Sequence, residues 1–584
     1  KLLLEIIKEG KMRKHYFRYL ILTLTITSFF QIPGFLSAQQ AGPGAGPGPG
    51  AGVAQTTLTT FGTDDFSGSG ICAMCHSGLR DEAGNDVSND AQWRSTMMAN
   101  AAKDPLWQAK ISSEVARASH LQDVIEEKCS RCHMGMARYQ AKTDGTPVEV
   151  LGPGFLDPAH YLHEAAMDGV SCTLCHQIQP KYLGTSESFT GKYVIDTSTF
   201  PPNRLIFGPY RNPFGNSMQQ ASGFNPKIGD QIEDPAHCGS CHTLYTPVLD
   251  ENGAQIPIPG TDPVEYEEFQ EQTTYLEWKH SGDLRTCQDC HLPQAVGSVV
   301  ISNRPRRLAP RDPFWQHHFV GGNSYMVGLL EANAGALGVT ADAVHLRNTI
   351  TRTVTQLENE TASLTVTPKR TVDLLTVTVD VVNLAGHKLP SGLPSRRAWL
   401  HLLVTGSGGA VVFESGKPMG DGTIEGNAAD QDPSTWEPHY DLITSEDQVQ
   451  IYEPIMNTYE GTQGDYVEVT YTLLRAYSYA KDNRLLPAGF NMDTAGPDIA
   501  VHGVPSSDDN FRGGSDQVVY EIDIVGVTGN LHVTAELLYQ TLSHPFVTDL
   551  ADDAGTPLVD AFMGMYDPAA NKEEILAVAT VTVP

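Results

Sequence analysis

The chain is short of positive charge and has no cysteine to spare. Against 69 acidic residues it sets 39 lysines and arginines, a formal net charge of −30 over 584 residues. That balance excludes nucleic-acid binding as the main business, because gripping phosphates needs a basic footprint. Beyond one apolar stretch near the N-terminus, no run is long enough to span a bilayer. No cysteine stands beside that stretch to carry a lipid, and no cysteine is left over for a disulfide framework. A regular tandem repeat is missing as well, since the recurring cysteine elements start 57, 43, 66 and 49 residues apart. A chain of this length is expected to divide into more than one domain.

What is present is one pattern, five times. The ten cysteines form CAMCH (Cys72, Cys75, His76), CSRCH (Cys129, Cys132, His133), CTLCH (Cys172, Cys175, His176), CGSCH (Cys238, Cys241, His242) and CQDCH (Cys287, Cys290, His291). With 10 cysteines and 20 histidines in the chain, chance supplies about 0.006 such patterns, so five identify the attachment motif of c-type heme. Two cysteines three residues apart lie on one side of a helical turn and can both form thioethers to one porphyrin. The histidine that follows is carried under the ring, within reach of iron. Disulfides and structural zinc also use paired cysteines, but neither requires a histidine after every second one. The cofactor expectation is therefore five covalently attached hemes c, with Cys72, Cys75, Cys129, Cys132, Cys172, Cys175, Cys238, Cys241, Cys287 and Cys290 as thioether residues. The proximal iron ligands are His76, His133, His176, His242 and His291.

The N-terminus agrees with heme attachment outside the cytoplasm. From Met12, MRKHYFRY is basic, LILTLTITSFFQIPGFL is apolar, and LSA ending at Ala38 is a cleavage site, which together read as a secretory signal over 12–38. Residues 1–11 read as upstream translation. Residues 39–59, with AGPGAGPGPGAG at 41–52, read as a flexible or polyproline-like linker. Residues 60–335 then hold all five motifs and are expected to be short helices and long loops. The clearest helix runs from AKDPLWQAKISSEVARASHLQDVIEEKC, with Asp104 as N-cap and Pro105 in the first turn.

From residue 360 onward the apolar period changes to two. LLTVTVDVV places Leu375, Val377, Val379 and Val381 on one side, and YVEVTYTLL (Val467, Val469, Tyr471, Leu473), VVYEIDIV and LHVTAELLY alternate likewise. The fold class expected is thus multidomain: a mostly helical and irregular multiheme cytochrome c domain over 60–335, a connecting helix or linker over 336–359, and an all-β antiparallel sandwich over 360–584. Acidic loops such as DENG and DEAGND read as solvated turns rather than calcium sites.

Each iron needs a sixth ligand or must stay open for chemistry. Setting aside the five motif histidines and His15 leaves fourteen. His163 and His280 precede heme motifs on segments that must pack near porphyrin, and His120 lies on the helix leading into Cys129. Of adjacent pairs usually one binds, so His318 is favoured over His317 and His163 over His160. His237, next to Cys238, is too constrained for its own heme but free to serve a neighbour. Met97 and Met98 read as packing residues, and the strand histidines His401 and His532 as surface residues. His387, in AGHKLPSGLPSRRAWL, is a candidate ligand that the β domain would contribute. The distal candidates are therefore His120, His163, His280, His318 and His387.

The run GICAMCHSG…WRSTMMANAAKDPLWQAKISSEVA…EEKCSRCHMGMARY, followed by DGVSCTLCHQI, EWKHS…CQDCHLP and HHFVGGN, resembles the multiheme cytochromes c of the cytochrome c-554 type and their extracellular-respiration relatives. The match covers most of 65–325, and GHKLPSGLPSRRAWLHLLV…VFESG…DNRLLPAGF is similar to the β domain attached to some of them. The resemblance implies a heme chain with mostly bis-histidine ligation, in which His163, His280, His318 and His387 occupy distal positions. The expected function is that of an exported pentaheme cytochrome, in the periplasm, at the cell surface or outside the cell. It would pass electrons in anaerobic or extracellular respiration to other redox proteins or cytochromes, and self-association is open to it. More an electron carrier than a substrate-converting enzyme, it leaves two alternatives. One is a multiheme oxidoreductase acting on a small nitrogen or sulfur compound at an open heme; ammonia-forming nitrite reductases also carry five hemes, but their CxxCK motif is missing here. The other is a subunit of a cytochrome assembly or filament.

Overall fold

The structure is a computed structural model that describes residues 57–459 and 467–584. The stretch 1–11, the signal at 12–38 and the linker up to residue 56 lie outside the described residues.

Short helices carry the motifs, and local sequence explains where they start. Asp104 accepts the backbone N–H of Leu106, and Pro105 opens α1 (Pro105–Arg117), as the Asp-Pro pair predicts. The helix stops at Ala118, makes a short turn over Ser119–Leu121 and resumes as α2 (Gln122–His133), which delivers the second motif at its end. The later motifs need almost no helix. The third is the single turn α3 (Cys172–Cys175), and the fourth begins in α4 (Pro235–Gly239), where Asp234 accepts the N–H of Ala236. After α5 (Thr274–Lys279), a reciprocal Thr286/Asp289 capping box starts α6 (Cys287–His291), the fifth motif. The long α7 (Ala343–Glu360) then leads into the strands.

The C-terminal strands form two sheets. Four strands order as β1 (Ala362–Arg370), β2 (Leu374–Asn383), β6 (Ser515–Asp523) and β4 (Leu442–Ile443). The second sheet orders as β5 (Ile451–Tyr452), β3 (Arg397–Gly406), β7 (Leu531–Gln540) and β8 (Glu574–Val583), with Val411–Ser415 pairing the free part of β3. The inner residues predicted from the alternation, Leu375, Val377, Val379 and Val381, are completely buried. They share one core with Leu400, Leu402 and Val404 of β3 and with Leu531, Val533, Ala535 and Leu537 of β7. Burying each such side chain contributes about 1.5–3 kcal/mol.

Three features depart from an all-β antiparallel reading of 360–584. The β6/β4 pair is parallel. Two helices, α8 (His544–Ala551) and α9 (Pro557–Met565), interrupt the sheet between β7 and β8, each with proline in its first turn. Their apolar residues Phe546, Val547, Leu550, Val559 and Phe562 pack with Leu106 and Ala109 of α1. Finally, Val467–Leu473, expected as a strand, makes a single bridge from Val469 to Asn457. Its backbone is claimed by α1 instead: Lys110 Nζ donates to the Tyr471 carbonyl (2.9 Å), and Glu114 accepts the N–H groups of Leu473 (2.7 Å) and Leu474 (3.3 Å). A buried carboxylate and ammonium outcompete a neighbouring strand for those groups, because charge-assisted hydrogen bonds are the stronger ones.

Candidate heme-attachment site

Each CxxC lies on a tight turn, so both sulfurs point the same way, and all ten thiols are unpaired and half-buried. They open onto one cavity of about 1950 Å³, which all five following histidines also line. That is roughly two to six times the volume of an ordinary small-molecule site. Zinc would draw three or four ligands to one point. Among the described residues the cluster that does so is His439, Asp508 and Asp516, which contains no cysteine. The arrangement of the thiols thus speaks against structural zinc.

The motif histidines are held in the form that can bind a metal. Nδ1 meets a backbone carbonyl in four of them: His76 with Ile301 (2.8 Å), His133 with Ala101 (3.0 Å), His176 with Phe207 (2.6 Å) and His291 with Val320 (2.6 Å). His242 is held by the Gln272 side chain. A carbonyl on Nδ1 fixes its proton there and leaves the Nε2 lone pair for a metal. Burial also keeps these rings neutral, pushing His133 and His291 down to about 4. Burial pushes the Cys175 thiol up to about 12, so it stays protonated.

The five motifs converge although sequence separates them. The thiols of Cys72 and Cys172 interact directly, as do Cys132 with Cys241 and Cys238 with Cys287. Cys175 is a near neighbour of Cys238 and Cys241. The fourth motif therefore adjoins the second, third and fifth, and the first joins through the third. Gly191 makes one of these approaches possible. Its φ is +66°, its N–H donates to the Ser240 carbonyl (2.8 Å), and a Cβ there would lie 2.6 Å from Arg131 Cβ and 3.1 Å from Cys132 Sγ.

The distal candidates divide in two. His318 and His387 line the cavity. Nε2 of His318 is buried without a hydrogen-bond partner, and His387 keeps Nδ1 on the Lys388 carbonyl (2.8 Å), leaving Nε2 free. His387 is also an electrostatic neighbour of His291 and His242. His120, His163 and His280 do not line that cavity. His120 and His280 direct Nε2 at the carbonyls of Gly253 and Asn491, both at 2.9 Å, while His163 sets Nδ1 on the Phe155 carbonyl (2.9 Å). Two other histidines, His237 and His317, do line it, and Nδ1 of each is buried without a well-formed partner. Met97 and Met98 reach the cavity wall too. The HH pair places both rings on the cavity wall, and nothing in its sequence indicated which ring lies nearer which motif. The wall is not confined to 60–335: Arg352 of α7, Gly386, Arg396 and Phe546 contribute from the C-terminal half.

No family model matches the chain, and no curated protein does. Among solved structures, a penta-heme cytochrome c552 from Thermochromatium tepidum matches with a TM-score of 0.48 at 17% identity. The match covers 88% of this chain and 98% of that one. None of the described helices is long and apolar enough to cross a membrane.

Proposed function

We propose that the chain is an exported c-type cytochrome that holds five hemes through Cys72/Cys75, Cys129/Cys132, Cys172/Cys175, Cys238/Cys241 and Cys287/Cys290, and that it carries electrons. The observation behind this reading is the single cavity onto which all ten thiols and all five motif histidines open. Bound there, heme supplies one-electron redox chemistry whose potential the protein tunes by axial ligand, burial and nearby charge. The chain's own contribution is positional. Carbonyls from Ile301, Ala101, Phe207 and Val320 orient the proximal rings, and the C-terminal half, read as a β-sandwich, offers His387 across the cavity from the cytochrome part. Donors and acceptors would be other redox proteins or cytochromes, met in the periplasm, at the cell surface or outside the cell. A pyridine hemochrome assay tests the reading: five hemes per chain are expected, and a count far below five overturns it.

A second reading has a specific observation in its favour. The histidines that line the cavity outside the motifs are His237, His317, His318 and His387, four rings for five irons. One iron with an open or non-histidine sixth site would suit a reductase or oxidase of a small nitrogen or sulfur compound. A high-spin signal that shifts on adding nitrite, hydroxylamine or sulfite would favour it, and an all-low-spin spectrum would count against it.

A further inference from the structure

The ring centroids of His176 and His317 lie 6.3 Å apart, with the ring planes inclined by 29°. Rings in direct contact at such a shallow angle would stack with atoms about 3.5–4.0 Å apart. The observed separation matches a different arrangement. A coordinating histidine nitrogen sits about 2.0–2.1 Å from a metal and the imidazole centre about 1.15 Å further on, so two rings on opposite sides of one metal stand about 6.3–6.5 Å apart. His176 already has Nδ1 on the Phe207 carbonyl, which leaves Nε2 available. The His317 ring lines the same cavity, and its Nδ1 is buried without a well-formed hydrogen bond.

The segment around His317 explains how the ring is aimed. Its backbone N–H donates to the Gln92 side chain (3.0 Å). Two residues later Phe319 adopts φ +44°, a region that a bulky residue enters only when its surroundings hold it there. That reversal lets the next groups serve another motif: the Phe319 N–H donates to the His291 carbonyl (2.8 Å), and the Val320 carbonyl takes His291 Nδ1 (2.6 Å). Upstream in the same stretch, the Ile301 carbonyl takes His76 Nδ1.

We propose that His317, rather than its neighbour His318, is the sixth ligand of the iron held by Cys172, Cys175 and His176, and that 301–320 is a strap setting the axial ligands of the first, third and fifth motifs. The assignment rests on the proposed heme binding and goes beyond it by naming which ring meets which motif. The test uses the full-length, heme-loaded protein. His317→Ala is expected to convert one-fifth of the iron from low to high spin in EPR and visible spectra, with all five hemes retained and low spin restored by added imidazole. His317→Met should leave the spin state low and raise the potential of one heme, since methionine ligation raises potentials. Stripping the third site with Cys172→Ala/Cys175→Ala should abolish any further spectral effect of His317→Ala. Five hemes with an unchanged spectrum in His317→Ala, an unchanged potential in His317→Met, or a new high-spin signal in the stripped background would each overturn the assignment. A wild-type heme count far below five would instead overturn the proposed function.

Discussion

Glu277 is the side chain on which the seating of the His387 loop depends most. It is completely buried on α5, and four groups converge on its carboxylate. Arg484 pairs with Oε1 at 2.9 Å, Ser391 Oγ donates to Oε2 at 2.7 Å, the Lys388 N–H donates to Oε2 at 3.2 Å, and Thr273 Oγ1 donates at 3.3 Å. Behind it, Asp482 accepts Lys388 Nζ (2.6 Å) and both Nε and Nη2 of Arg484 (2.7 and 2.8 Å). Two cations thus share two carboxylates in a dry site, and burial is offset only while the set is complete. Glu277→Ala leaves Arg484 and Lys388 with one carboxylate between them and removes one of the two partners of the Ser391 hydroxyl. Breaking a buried pair in this way costs about 3–5 kcal/mol, a factor of roughly 150 to 5000 in the folded-to-unfolded ratio. Guanidinium unfolding followed by far-ultraviolet circular dichroism reads the loss as a lower midpoint at unchanged slope. Glu277→Gln keeps the acceptor but not the charge and should fall between. A loss below about 1 kcal/mol in Glu277→Ala would refute the view that this ion cluster clamps the loop, because an exposed pair would give that result.

Three further outcomes are expected. His387→Ala should turn one-fifth of the heme iron high-spin, and an unaltered EPR spectrum would reduce His387 to an ordinary loop residue. Gly191→Ala should destabilise by about 1–3 kcal/mol, since its Cβ would press on Arg131 and Cys132 where no space remains; a thermal melt matching wild type would show that the second and fourth motifs can move apart freely. Asp516, buried beside Asp508 and accepting Tyr452 OH at 2.7 Å, has its carboxyl pushed up to about 7 by burial. The folded state then keeps a proton that the unfolded state releases, so stability should fall as pH rises from about 4 to about 7, by roughly 4 kcal/mol at most. Asp516→Asn should flatten that slope in pH-dependent denaturation, and an unchanged slope would refute the shift.

How far the chain could be read without coordinates depended on the range of each interaction. The Asp104 cap and Pro105 start of α1 were legible because capping acts within three residues. Leu375 to Val381 were legible as core because alternation on a pleated strand fixes which side is buried. The segment from Val467 to Leu473 was not, because its pattern fits a strand equally well when the partner is a helix. Lys110 and Glu114, more than 350 residues earlier, take the backbone groups of Tyr471 and Leu473. Likewise, nothing in Pro545 or Pro557 foretold that two helices would leave the sheet to cover α1.

The sequence by itself determined the pattern on which the proposed attachment rests: five copies of a motif whose three reactive side chains meet within one helical turn. That much is local, and spacing decides it. The tertiary structure decided everything that lies across space. It drew motifs 43 to 66 residues apart onto one cavity and kept His120, His163 and His280 off its wall. It also placed the ring of His317 rather than that of His318 beside His176. An axial ligand need share no sequence neighbourhood with the iron it binds, so its identity follows from packing and not from any pattern along the chain.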